Sequence, residues 1–200
     1  AGGLCISDEV QTGLGRTGRN YWGFQLHDVV PDIVTIGKPL GNGHPIAAVA
    51  CTIEVAEKFA NGMEFFNTFG GNPVSSIISQ TVLEVVEEEK LQKNALIVGS
   101  FLKNELQILS KKYPIIGDIR GQGFFLGIEL VDSNLIPLKR HASYLINRMK
   151  NHGILMSTDG PDSNVLKIKP PLVFSIDNAK EVLFYLKKIL DEDLMKDFKS

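Results

Sequence analysis

Two cysteines, Cys5 and Cys51, and a single tryptophan are all that the 200-residue sequence holds of those two types. Two cysteines cannot build the disulfide framework of a small secreted domain. They suit a reducing compartment, read here as cytoplasmic with a mitochondrial location left open, and both read as small core residues rather than nucleophiles. An excess of one charge is missing too: 21 Lys and Arg stand against 23 Asp and Glu, a formal net charge of −2. Without a basic stripe or stacking aromatics, no nucleic-acid partner is expected. No apolar run approaches the roughly 18 residues of a membrane span, and the longest, around 45–53, is about half that. The four histidines, His27, His44, His141 and His152, are scattered, so no metal site is expected. An initiator methionine and a basic leader are also absent. The chain opens on Ala1-Gly2-Gly3 ahead of the apolar stretch 4–7 (LCIS), and so is expected to start inside a fold, as a piece of a longer protein.

What is present is the material of a folded α/β protein. With 44% hydrophobic and 22% charged residues, the composition allows one domain or two small ones. Residues 4–7 read as a short buried strand, 32–37 (DIVTIG) as a second, and 46–52 (IAAVACT) as a third after the turn-rich GNGHP. From Val74 the period becomes helical. Ile77, Ile78, Val82, Val85 and Val86 share one face, and Glu84, Glu87, Glu88 and Glu89 take the solvated one. A further helix over 95–112 carries Leu96, Phe101, Leu102, Leu106 and Leu109 and closes before Pro114. Beyond it, 121–130 (GQGFFLGIEL) reads as turn glycines leading into a strand, and 142–151 as a helix with Leu145, Ile146 and Met149 on one side. Short strands follow over 154–157 and 165–169, around a turn at Asp159-Gly160-Pro161, and then a closing helix over 178–194 capped by Asp177. Alternating strands and helices predict the α/β class, with domains 1–92 and 93–200.

Three polar features stand at strand ends or in turns, where α/β proteins place their chemistry. Asp8-Glu9-Val10-Gln11 follows the first strand; a carboxylate there can hold a cationic nitrogen, or simply cap a turn. Lys38 ends an apolar strand between Gly37 and Pro39. A lysine held out of water is the residue type that forms Schiff bases with aldehydes, whereas a snorkelling lysine would keep its head in solvent. Asn67-Thr68-Phe69-Gly70-Gly71-Asn72-Pro73 precedes a helix; hydroxyl and glycines at a helix start suit phosphate, and they also suit a plain helix-entry turn. Each feature is weak alone. The acid, the lysine and the hydroxyl–glycine loop nevertheless fall in order at positions 8, 38 and 68.

The segments DEVQTGLGRTG, DIVTIGKPLGNGHPIAAV and NTFGGNP, in that order, closely resemble the class-III aminotransferases, pyridoxal-phosphate (PLP) enzymes of fold type I. The resemblance runs from Ala1 to about Leu190, and GDIRGQGFFLGIEL resembles the opening of that family's small domain. It implies the last part of a mainly parallel large-domain sheet in 1–92 and a small C-terminal α/β domain in 93–200. It also implies that Lys38 is the catalytic Schiff-base lysine and later moves protons, and that Asp8 holds the pyridine nitrogen protonated. Val10 is implied to pack on one ring face and Gln11 to lie near the ring's 3-oxygen. Thr68 is implied to reach the partner's cofactor phosphate in a homodimer with shared active sites. The family's phosphate-cradling glycine/serine loop and its second ring-covering aromatic lie in its N-terminal half, so the isolated chain is expected to be non-catalytic.

Members that transaminate with 2-oxoglutarate carry an Arg before a PPL motif, gripping a carboxylate through its fork. Here Lys167 stands at that place in LKIKPPL. With Ser157-Thr158-Asp159-Gly160-Pro161, FFNTFGG and GNGHP, the chain is similar to one subgroup, the ethanolamine-phosphate and 5-phosphohydroxylysine phospho-lyases. That resemblance implies a small phosphorylated primary amine as substrate and phosphate elimination, with Lys167 a ligand for the substrate's phosphate. An ordinary ω-amino transaminase of the 4-aminobutyrate type, with a keto-acid acceptor, is the alternative. Lys167 and Lys169 are both candidates for the substrate's phosphate or else simply flank a surface strand, the second reading being favoured for Lys169, and Arg120 reads as a structural contact of the second domain.

Overall fold

The computed structural model describes residues 2–194. The chain divides into two compact units, Ala1–Lys93 and Asn94–Ser200, the division falling in the first turn of a long helix. Among the described residues, no helix is long and apolar enough to cross a membrane.

The first unit is built on a three-stranded sheet. β1 (Ile6–Asp8) pairs in parallel with β2 (Ile33–Ile36), which pairs antiparallel with β3 (Ala48–Cys51). One of the two pairings is therefore antiparallel, where a mainly parallel sheet was expected. The connection from β2 to β3 runs over 37–47 through a 3-10 turn without a regular helix, and parallel strands need a crossover of about a dozen residues or more. The crossover from β1 to β2 is long but not a regular helix: it is a folded loop with Leu14, Gly15 and Gly18 in left-handed conformations and a 3-10 turn at Gly23–His27. Two helices follow, α1 (Ile53–Phe59), which had no counterpart in the sequence pattern, and α2 (Pro73–Glu88), capped by Asn72, whose side chain accepts from Ser75 N.

Burial in this unit departs from expectation. Cys5 and Cys51 are exposed, not core residues. Leu4 and Ile6 are exposed on and beside β1, and of the apolar stripe on α2 only Val86 is buried while Ile77 is 57% exposed. Strands written to be covered on both faces need layers on both sides, and the described part of this unit does not supply them.

The second unit has a full core. Its sheet runs in the order β4-β5-β7-β6, antiparallel throughout, from β4 (Ile116–Gln122), β5 (Phe125–Leu130), β6 (Ser157–Asp159) and β7 (Val165–Ile168). The single strand expected over 121–130 is a hairpin, because Gly123 takes a positive φ and turns the chain between β4 and β5. β5 alternates strictly, with Leu126, Ile128 and Leu130 buried. Against that face lie α3 (Leu91–Lys112), α4 (Lys139–Asn151) and α5 (Ile176–Ile189), through Leu102, Leu106, Leu145, Met149, Val182 and Leu186. On α3 the inner stripe is Ala95, Val98, Leu102 and Leu106, and Leu96 points out. The strand expected at 154–157 lies later, at Ser157–Asp159, since Ile154 N is held by Met149 O at the end of α4. The cap of α5 is Ser175 rather than Asp177. Ser175 Oγ accepts from Asn178 N and Asn178 Oδ1 accepts from Ser175 N, the reciprocal box that a three-residue spacing allows. Asp177 instead sits in the first turn, paired with Lys180, and α5 passes into a widened turn at Leu190–Leu194.

Gly99 of α3 meets the β4–β5 turn so closely that a Cβ would lie 2.3 Å from Gly123 O. Gly99→Ala is therefore expected to destabilise the protein by about 1–3 kcal/mol despite alanine's better helix propensity. A urea-unfolding midpoint read beside exposed Ser100→Ala, which should shift by less than about 0.5 kcal/mol, checks it.

Candidate functional site

β1 and β2 end side by side. Their parallel register sets Asp8 opposite Thr35, and the outer ends of both strands carry polar residues. Ligands of open α/β sheets gather at the carboxyl ends of the strands. Asp8 Oδ1 accepts from Val10 N at 3.1 Å and makes a long 3.4 Å contact with Thr35 Oγ1. Both contacts fall on one oxygen, which leaves Oδ2 of this exposed side chain open to a ligand. Two residues beyond Thr35 the chain leaves the sheet at Gly37, and a Cβ on Gly37 would stand 3.5 Å from Val10 Cγ2. Val10 thus packs on the residue just before Lys38.

Lys38 opens the 3-10 turn Lys38–Gly41 with φ +29°, a left-handed conformation for a residue with a full side chain. Such a conformation costs on the order of 1–2 kcal/mol, and strain of this kind persists where the surrounding structure imposes it and function uses it. The Lys38 side chain is exposed. Asp8, Val10 and Lys38 therefore lie around two adjacent strand ends. That set suits a flat aromatic ring with a cationic N–H and a carbonyl carbon.

Glu9, to which the sequence pattern attached no role, is the residue that shapes this corner. It is 1% exposed. Its Oε1 accepts from Ser7 Oγ at 2.9 Å and Phe24 N at 2.8 Å; its Oε2 accepts from Thr12 Oγ1 at 2.8 Å and Gly23 N at 2.7 Å. Burial pushes its carboxyl up, but the bonds from Gly23, Thr12, Phe24 and Ser7 together outweigh it and hold the group below its ordinary 4.5. Ser7 and Thr12 flank Glu9 in sequence, and this was the one local signal; Gly23 and Phe24 come from the far side of the loop.

The remaining expected residues lie elsewhere. Gln11 is half-buried in the turn after Asp8. Thr68 is exposed in the loop ahead of α2, where Asn67 Oδ1 accepts from Phe69 N and Gly70 N; no hydrogen bond joins Thr68 to Asp8 or Lys38 among the described residues. Lys167 belongs to the second unit, on β7, and pairs with Asp159 Oδ2 at 2.5 Å. One row across that sheet runs Arg120, Gly127, Lys167, along a cavity of about 400 Å³ that Asp159 and Phe125 also line. Arg120 there is held by Asp118 at 3.0 Å and by Glu129. Among the described residues no three His, Cys, Asp or Glu side chains cluster as metal ligands.

The family model described as "Aminotransferase class-III" matches residues 1–190. The chain belongs to the class-III aminotransferases. An alanine–glyoxylate aminotransferase 2-like protein of Drosophila melanogaster is 50% identical over 95% of the chain and 39% of its own length. An ethanolamine-phosphate phospho-lyase homolog of Caenorhabditis elegans is 46% identical over 94% of the chain and 42% of its own length. Among solved structures, a phospholyase from Arthrobacter, determined in complex with phosphoethanolamine, superposes with a TM-score of 0.92 at 43% identity, over 96% of this chain and 46% of that one. The chain thus spans about two fifths of the length of the curated relatives it matches. The fold is that of the fold-type I aminotransferases and phospho-lyases.

Because Glu9 titrates below its ordinary value when folded, its contribution to stability is complete above about pH 4.5 and is lost as pH falls through the folded value. Glu9→Gln puts an N–H donor against donors and should destabilise the protein by about 1–3 kcal/mol at pH 7. It should also flatten the acid limb of a plot of unfolding free energy against pH, which denaturant titrations at several pH values read directly.

Proposed function

We propose that the whole protein is a PLP enzyme acting on a small primary amine, with Lys38 and Asp8 of this chain as its catalytic residues. The observation that supports this most is the Asp8–Val10–Gly37–Lys38 corner: an open carboxylate oxygen, an apolar side chain and a strained, exposed lysine at two paired strand ends. The residues fit the group. Bound there, PLP would supply an electron sink for negative charge on the substrate carbon beside the nitrogen. Asp8 Oδ2 would accept the ring N–H, Val10 would lie against one ring face, and Gln11 would stand near the ring's 3-oxygen. Lys38 would hold the aldehyde carbon and carry the proton from the substrate carbon. Residues 1–92 are read as the end of the large domain and 93–200 as the small one.

The reaction we favour is elimination of phosphate. When the amine carries a phosphate on the next carbon, loss of the proton to Lys38 is followed by cleavage of that C–O bond. The products after hydrolysis are an aldehyde, ammonia and inorganic phosphate, without a keto acid. Supporting this reading are a lysine at position 167, which suits phosphate as a point charge, and relatives named for phospho-lyase activity. The alanine–glyoxylate aminotransferase named among the relatives favours a second reading, transamination with a keto acid. The proposed homodimer is supported by the exposed Phe65, Phe66 and Phe69 around Thr68, an apolar surface of the kind that marks an interface; across it Thr68 would reach the partner's cofactor phosphate.

The full-length protein with PLP and phosphoethanolamine, and no keto acid, is expected to release inorganic phosphate. Lys38→Ala should reduce release by at least about a hundredfold, and Lys167→Ala should raise KM for the phosphorylated amine. Amine consumption only when a keto acid is added would overturn phospho-lyase in favour of transaminase. Phe66→Asp is expected to shift the protein toward monomer in sedimentation velocity.

A further inference from the structure

The turn that presents Lys38 does not stand alone. After Lys38–Gly41 the chain passes through two further left-handed residues, Asn42 with φ +45° and Gly43 with φ +105°, to His44. Within the turn, Leu40 N donates to Gly37 O at 2.9 Å, Asn42 N to Pro39 O at 3.1 Å and His44 N to Gly41 O at 2.9 Å. These bonds are local and close only small rings within 37–44. What ties it down comes from α2, which packs against it. His44 Nε2 and Ser75 Oγ share a hydrogen bond of 2.7 Å. Ser75 Oγ also accepts from Asn72 Nδ2 at 3.0 Å, so the hydroxyl proton is available to His44 Nε2. Ser75 N in turn donates to Asn72 Oδ1 at 2.9 Å, the cap of α2. Ser79, one turn further along the helix, is also buried, but its Oγ has no hydrogen-bond partner among the described residues. The polar tie between turn and helix therefore runs through His44 and Ser75.

We propose that His44 is a positioning residue for Lys38: its bond to Ser75 anchors the strained Lys38 turn to the capped start of α2 and sets where the Lys38 amine stands relative to Asp8. Asn72 directly follows Phe69-Gly70-Gly71, so the same three side chains also link the Lys38 turn to the loop that carries Thr68. This rests on the reading of Lys38 as the working amine. A displacement of about 1 Å of a reacting group is enough to lower a rate by about a hundredfold, and losing the tie frees a turn whose strain favours relaxation.

The test uses the full-length protein and four variants: His44→Phe, which keeps a ring without the polar atom; His44→Gln, whose amide reaches the place of Nε2; Ser75→Ala; and the double variant His44→Phe with Ser75→Ala. Hydrogen exchange of the apo-protein is read first. Exchange of the 40–44 amides is expected to quicken by about tenfold in His44→Phe and in Ser75→Ala, with the rest of 1–93 unchanged, and to return close to wild type in His44→Gln. With PLP, kcat on the amine should fall by roughly ten- to a hundredfold with KM within about twofold, the double variant no worse than either single one. Unchanged exchange and kcat in His44→Phe overturn the proposal. So does a loss of protection spread over the whole first unit with kcat and KM changing together, which is a packing defect. Should the wild-type protein turn over no amine at all, the proposed activity fails, while the local exchange pattern and its rescue still decide whether His44 holds the turn.

Discussion

The in-register parallel pairing of β1 with β2 is the constraint on which the first unit depends. It places Asp8 opposite Thr35 and brings both chain exits to one edge of the sheet. A slip of one residue would turn Asp8 to the opposite face, because side chains alternate along a strand. Register in an exposed, short strand is weakly specified by burial, and here polar contacts supply the specification. Glu9, next to Asp8, gathers four donors from Ser7, Thr12, Gly23 and Phe24. A buried carboxylate with all its lone pairs engaged tolerates few alternative geometries, since each lost bond leaves a desolvated charge. The corner that holds Asp8 and Val10 is thus rigid for electrostatic rather than hydrophobic reasons.

The second unit is held by the opposite means. Its core joins one face of a four-stranded antiparallel sheet to three helices, with Leu102, Leu106, Ile128, Leu130, Leu145 and Met149 all withdrawn from water. Polar ties there secure the edges. Tyr113 donates to Asp191 at 2.6 Å beside Lys112 and Lys187, and the bonds from Lys187, Tyr113 and Lys112 hold the Asp191 carboxyl well below the usual range. In the first unit, by contrast, Ile6, Val49, Phe65, Phe66, Phe69 and Ile77 remain exposed. So much aliphatic and aromatic area on one small unit is what surfaces destined to be covered look like.

Much of the architecture was legible because hydrophobic period and turn residues are local properties. The β-branched run before Gly37, the helical stripe after Asn72, and Leu145 with Met149 on α4 all follow from spacing alone. Boundaries and caps were less legible. Asp177 is a good capping residue by type, yet Ser175 caps α5 because Asn178 completes a reciprocal pair with it. The β4–β5 hairpin hid inside a glycine-rich stretch whose turn depends on a positive φ at Gly123. Cys5 and Cys51 are small and apolar enough for a core, but composition does not say whether a second layer lies against the strand that carries them.

By itself the sequence determined the family, because three long motifs in order cannot arise from composition, and it determined which residue types could do chemistry: a carboxylate after one strand, a lysine after the next, a hydroxyl before a helix. Only the tertiary structure decided which of these meet. Parallel pairing brings Asp8 and Lys38 to neighbouring strand ends, Lys38 takes a left-handed φ, buried Glu9 gathers donors from as far as Phe24, and His44 reaches Ser75, 31 positions on. Such contacts depend on strand register and backbone dihedrals, and no local pattern of residues encodes those without the rest of the fold.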